Sequence, residues 1–279
     1  MDATRLRDGK QVMLKKVYPD EGLHEVIITQ LFSSRQFIRD PCNHCVPLLD
    51  ILEMPQNGQK LLVMPFLRPF NNPSFQTFGE FVAFFTQICE VGSFHPSSQI
   101  NSDRALNQGL QFMHQRNIAH RFAWTPTDGM HFLTRGLFRD CTANNIMFDP
   151  SEMYPRGFHP TQMDRSRDFK GRAKRYTRTQ RPPHYYLIDF GLSRQYFSRR
   201  ALDLPLRGGD KSAPEHRNAT RCNPFYTDIY YLGNLIREEF IEVGLTMRPI
   251  LQQLVIKILM GYVIRHTMAS TLCKISLMR

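Results

Sequence analysis

With 279 residues, 42% of them hydrophobic and 22% charged, the chain has the size and balance of a globular protein with a large core, which excludes a wholly disordered one. A formal charge of +11 points to anionic partners, while six cysteines in this length exclude a disulfide scaffold and imply a reducing compartment, the cytoplasm or nucleus. Met1 runs directly into Asp2, Arg5, Arg7 and Asp8, which is not a secretory leader pattern, and no apolar run is long enough for a bilayer. Residues 250–264 come nearest, but they include Gln252, Gln253 and Lys257, so no membrane partner is expected.

Residues 10–17 predict a strand after the Asp8-Gly9 turn, and 24–38 space Val26, Ile27, Leu31 and Phe32 as a helix. Cys42 and Cys45 enclose His44 with metal-ligand spacing, but no second pair of ligands lies nearby, so they read as ordinary loop and core cysteines. Residues 46–54 and 60–66 predict short strands around Asn57-Gly58. Past Pro69 the pattern turns helical: 78–90 is apolar along one side, and Leu110–His114 has the same character. Residues 184–189 predict a strand, and 226–240 a helix burying Ile229, Leu232, Leu235 and Ile236. Between Met147 and Asp189 runs a long basic excursion, with Arg165, Arg167, Lys170, Arg172, Lys174, Arg175, Arg178 and Arg181 set against Asp168. It reads as a solvated, projecting loop that could dock an acidic partner; nucleic acid is disfavoured because no base-reading motif accompanies the charges.

Three short motifs follow in a fixed order. Asp140 is followed five positions on by Asn145 and then by the apolar Ile146-Met147-Phe148; Asp189-Phe190-Gly191 directly follows an apolar strand; Ala213-Pro214-Glu215 comes a short loop later. Each alone is common, but the order and the placement on elements make the set specific. In these residues the chain resembles the protein kinase superfamily across about residues 3–242, and most nearly a group of kinase-like proteins common in fungi. The nearer likeness rests on Cys141-Thr142-Ala143-Asn144-Asn145-Ile146-Met147, on Gly157-Phe158-His159-Pro160, and on the run from Tyr176 through Thr179-Gln180-Arg181-Pro182-Pro183 to Gly191. Pro205-Leu206-Arg207-Gly208-Gly209-Asp210-Lys211 and Asp228-Ile229-Tyr230-Tyr231-Leu232-Gly233 extend it.

The resemblance implies an α+β, two-lobed protein-kinase-like fold. Residues 1–69 would be a truncated, β-rich small lobe, and 70–242 an incomplete, mostly helical large lobe with the excursion at 149–184; 243–279 would be a tail without family likeness. It further implies ATP and Mg²⁺ as cofactors and transfer of the γ-phosphate to serine or threonine of a protein substrate. Asp140 would take the substrate's hydroxyl proton, and Asn145 and Asp189 would offer magnesium the hard oxygens it prefers. Lys15 would contact the α and β phosphates with Glu25 as its helical partner, although Lys16 is its neighbour and strand alternation puts only one of the two in the cleft. Met64 to Leu67 would form the hinge, with Leu67 donating to adenine because Pro65 cannot. Phe190 would pack behind the metal, Glu215 would form an ion pair for which Arg221 is a candidate, and Asp228 would brace the catalytic loop. Ser193, Ser198 and Ser212 are candidate phosphosites, with Arg121 as a phosphate partner.

The chain also departs from the pattern. No glycine-rich phosphate loop precedes Lys15, Thr142 stands where serine/threonine kinases usually carry lysine, and the likeness ends after Val243. These departures leave a pseudokinase or ATP-binding scaffold as the alternative function. Two blocks of 18 residues, 91–108 and 122–139, interrupt a helix and separate His120-Arg121 from Asp140. Val91, Gln108, Arg121-Phe122 and Phe138-Arg139 admit codons carrying splice signals, and both lengths keep the reading frame. The blocks are therefore read as translated introns, whose removal would join 87–90 to Gly109 in one helix and place Arg121 beside Asp140; genuine surface insertions are the alternative.

Overall fold

A computed structural model describes residues 1–18, 22–55, 58–88, 109–121, 145–205, 221–236 and 239–240. The chain divides into two compact units, Met1–His120 with Asn144–Gln195, and Arg121–Ala143 with Tyr196–Arg279. Helices and antiparallel sheets together make it a mixed α+β protein. Among the described residues no helix is long and apolar enough to cross a membrane.

The first unit opens on strands β1 (Asp2–Thr4) and β2 (Gln11–Val17), joined by a turn in which Arg5 pairs with Asp8 and Gly9 takes a left-handed φ of 68°. With β3 (Asp50–Glu53) and β4 (Lys60–Pro65) they form a four-stranded antiparallel sheet in the order β1-β2-β4-β3. Its central pair registers from Val12 opposite Pro65 to Val17 opposite Lys60. Helix α1 (Leu23–Phe32) packs on this sheet through Val26, against Val17 and Leu62.

Two expected elements are shorter than their patterns, for traceable reasons. The helix expected over 24–38 stops at Phe32 because Asn43, beyond its expected end, donates its amide to the carbonyls of Phe32 (2.8 Å) and Phe37 (3.0 Å), while Ser33 Oγ accepts from the Leu48 amide. The strand expected from 46 begins at 50. Its first residues are drawn elsewhere: the Leu187 amide donates to His44 O and the Val46 amide to Leu187 O, so this segment lies beside β8 (Tyr185–Leu187).

β8 pairs with β7 (Ile146–Phe148), which pairs with β5 (Arg68–Pro69), in a second antiparallel sheet. Helix α2 (Phe78–Ile88) covers it. Fully buried Phe84 stacks on Phe70 at 5.0 Å and meets Tyr185 edge-on at 5.0 Å. The helix expected to 90 is described to 88. Gly109 then opens helix α3 (Leu110–His114) directly against the end of α2: with φ 54°, it sits so close that a Cβ would collide with the Ile88 carbonyl oxygen and lie 2.6 Å from that of Gln87. Gln87 and Ile88 thus lie against Gly109, while residues 89–108, including block 91–108, lie outside the described residues. β6 (Ile118–Ala119) pairs with β9 (Arg194–Gln195).

The basic excursion is not the projecting loop its composition suggests. Met153, Tyr154, Phe158 and Arg178 are buried, and Glu80 of α2 accepts from both the amide and the hydroxyl of Thr179. The charge run is split by this packing: Arg178 turns inward, and Arg165, Arg167, Lys170, Arg172, Lys174, Arg175 and Arg181 stay exposed. In the second unit, helix α4 (Pro224–Ile236) starts with proline at its first position, and Asn223 Oδ1 accepts from the Phe225 amide. It buries Ile229, Leu232 and Leu235; the Ile236 side chain is outside the described set.

Candidate functional site

β2 delivers the first side chain. Strand alternation separates its two lysines: Lys16 is exposed, with Nζ 5.2 Å from the Tyr18 ring centre, and Lys15 faces α1. Lys15 Nζ donates to Glu25 Oε1 at 2.5 Å and to Asp189 Oδ1 at 2.7 Å. Glu25 stands in the first turn of α1 and is 6% exposed, so it needs a countercharge. Asp189 leaves β8 in the left-handed conformation (φ 63°), which a short carboxylate tolerates, and its Oδ1 also accepts from the Gly191 amide at 3.3 Å. A Cβ on Gly191 would stand 3.2 Å from Asp189 Oδ1 and 3.4 Å from Glu25 Oε2, so glycine is what lets the two carboxylates share one lysine.

Phe190 fixes this corner from behind. Its buried ring lies 6.0 Å from Phe32 of α1 and 5.4 Å from His120, whose Nε2 is 3.0 Å from Ile188 O. The electrostatics follow from burial and pairing. Burial works to lower the Lys15 pKa, but the attraction of Asp189 and Glu25 outweighs it, so the ammonium titrates above its ordinary value. Burial raises the Glu25 carboxyl and Lys15 offsets only part of this. In Asp189 burial also acts upward, but Lys15 and the Gly191 amide win, and the carboxyl lies below its ordinary value.

Asn145 immediately precedes β7, and its carbonyl accepts from the Ile188 amide at 2.9 Å, so it emerges at the same end of the β7–β8 hairpin as Asp189. The two residues present an amide and a carboxylate, the hard-oxygen chemistry that suits magnesium; Asp189 Oδ2 accepts no hydrogen bond from a described residue. Met64 sits in β4 opposite Met13, and buried Leu67 lies between β4 and β5 with its amide donating to no acceptor among the described residues. Asp140, Thr142, Ser212 and Glu215 lie outside the described residues; Arg221, the candidate partner of Glu215, is exposed. In the second unit Asp228 of α4 is buried and accepts from the Arg121 amide at 2.6 Å.

One expected phosphosite is excluded by geometry. Ser193 is 1% exposed and donates its hydroxyl to His120 O, so a phosphoryl group cannot reach it in this fold; Ser198 is exposed. Sequence reasoning also missed the scaffold roles of Glu80, Arg68 and Arg178, polar residues with partners far along the chain, and of Asn43, which holds the carbonyls of Phe32 and Phe37.

No protein-family model matches this chain, and no curated protein matches it.

Proposed function

We propose that the chain is a two-lobed kinase-type phosphotransferase that binds Mg·ATP and transfers its γ-phosphate to serine or threonine of a protein substrate inside the cell. The observation that carries this reading is the cluster of Lys15 between Glu25 and Asp189. A strand lysine, a helical glutamate and an aspartate before Phe-Gly meet at one point, and phosphoryl transfer asks a protein mainly for such positioning and charge. Lys15, steadied by Glu25, would contact the α and β phosphates. The Leu67 amide and the Met64–Leu67 backbone would hold the adenine. Asp189 and Asn145 would hold magnesium, which supplies neutralising charge to the phosphate oxygens. Asp140 accepts the proton of the substrate hydroxyl. The exposed cations of 165–181 are the surface on which an acidic partner would dock.

Thr142, in place of the usual lysine, favours a second reading, an ATP-binding scaffold without transfer. The test compares the full chain with a form lacking 91–108 and 122–139. Both are titrated with ATP with and without Mg²⁺, then assayed for labelled phosphate on a mixture of proteins. Magnesium-dependent binding by both forms is expected, with transfer by the shortened form that disappears in Asp140→Asn. Binding without transfer would support the scaffold, and no binding by either form would remove the nucleotide reading.

A further inference from the structure

Arg121 is held in the second unit as tightly as Lys15 is in the first. It is a non-glycine residue in the left-handed region, φ 61°, a conformation that persists only where the surroundings hold it. Its amide is fixed by Asp228, its Nη1 lies 3.1 Å from Asp203 Oδ2, and its Nη2 donates to Leu204 O at 3.2 Å. The arginine side chain is 8% exposed and the aspartate 35%, so the guanidinium has been taken out of water and needs an anion. Asp203 is itself pinned. Tyr196 donates its hydroxyl to Oδ2 at 2.7 Å, the Leu204 amide donates to Oδ1 at 2.8 Å, and Asp203 exchanges both backbone hydrogen bonds with Cys222. The Tyr196 ring stands edge-on to Phe225 of α4 at 5.7 Å.

Loops of this kind are commonly ordered by a phosphoryl group that meets a buried arginine. Here a carboxylate of the chain already fills that place. We infer that Asp203 is a permanent anion that fastens the 196–205 segment to Arg121, making the order of this segment independent of phosphorylation. Asp203 is then a positioning residue, acting through Arg121. Its effect on transfer rests on the kinase reading above; its effect on the segment does not.

The test uses the full chain, treated with phosphatase or left untreated, and follows limited proteolysis of 196–222 and Mg·ATP binding; transfer is read in the form lacking 91–108 and 122–139. Phosphatase is expected to change none of the three. Asp203→Asn is expected to speed cleavage of the segment about tenfold, as loss of one partner of a partly buried pair enlarges the open population. It should also lower transfer and leave ATP binding within twofold. Asp203→Glu should recover part of both losses. Arg121→Gln combined with Asp203→Asn should cost much less than the two single changes together, the signature of a direct pair. Should Asp203→Asn fail to fold, Tyr196→Phe, which removes one hydrogen bond to the same oxygen, should show a smaller change in the same direction. Cleavage unchanged in Asp203→Asn, additive losses in the double variant, or cleavage accelerated by phosphatase would each overturn the inference. Absence of transfer in every form, with the cleavage pattern as stated, would count against the kinase reading alone.

Discussion

Lys15→Met is expected to lower phosphate transfer by about 10²–10³-fold, the loss typical when one preorganised charge is withdrawn from a phosphate-stabilising site. Among the described residues Lys15 alone bonds to both carboxylates of the cluster, at 2.5 and 2.7 Å. Its removal acts on stability as well as rate. Glu25, 6% exposed, would be left buried without its countercharge, while Asp189 keeps water and the Gly191 amide. Breaking a fully buried pair costs about 3–5 kcal/mol; because Lys15 is about a third exposed, a loss of about 1–3 kcal/mol is expected in urea unfolding. Adding Glu25→Gln to Lys15→Met should restore part of that stability and none of the transfer, which separates the two roles. Lys16→Met, one residue along on the exposed face, should change neither. A Lys15→Met protein with wild-type ATP binding, transfer and stability would end the proposal that these three residues form a phosphate site.

The meeting of three charged residues was the most legible part of the chain. Lys15, Glu25 and Asp189, which meet in space, stand out from their neighbours by motif and spacing. Strands β2 and β4 are likewise written in local runs such as Val12-Met13-Leu14 and Leu61-Leu62-Val63. What local patterns could not show is competition from partners outside the element. Asn43 ends α1 earlier than its apolar spacing, and β8 captures residues 44–46 before they can lengthen β3. Nothing near Ser193 announces that its hydroxyl is committed to His120 O, and nothing near Arg121 points to Asp203. Between Lys15 and Lys16 the sequence left the choice open, because alternation fixes that they face opposite ways but not which way.

Arg178 is the sharpest instance, and its replacement by leucine is expected to cost about 3–5 kcal/mol of folding stability. In composition it is one more cation in a basic run; in space it is 4% exposed. Nη1 donates to the Tyr185 hydroxyl at 2.8 Å, and Nη2 to the carbonyls of Phe70 (2.7 Å) and Pro73 (2.6 Å). The guanidinium carbon stands 4.4 Å from the Phe75 ring centre and 4.7 Å from that of Phe148. Burial lowers the Arg178 pKa, with Tyr185 and Glu80 opposing, and burial pushes the Tyr185 phenol up to about 12. Arg178→Leu fills much of the volume but strands these three acceptors. Lysine keeps the charge yet cannot reach all three acceptors in one plane, so Arg178→Lys should lose about 2 kcal/mol. Arg175→Leu, three residues away and exposed, should stay within about 0.5 kcal/mol. The loss should spread to the site, because Tyr185 and Phe148 face each other across the β7–β8 hairpin that carries Asn145 and Asp189 at its far end. Arg178→Leu should therefore weaken Mg·ATP binding and expose 150–184 to protease, although it touches no residue of the cluster. If instead it melts with the wild type, the excursion is held by something other than this arginine, and the link from the basic segment through the hairpin to the proposed phosphate site breaks.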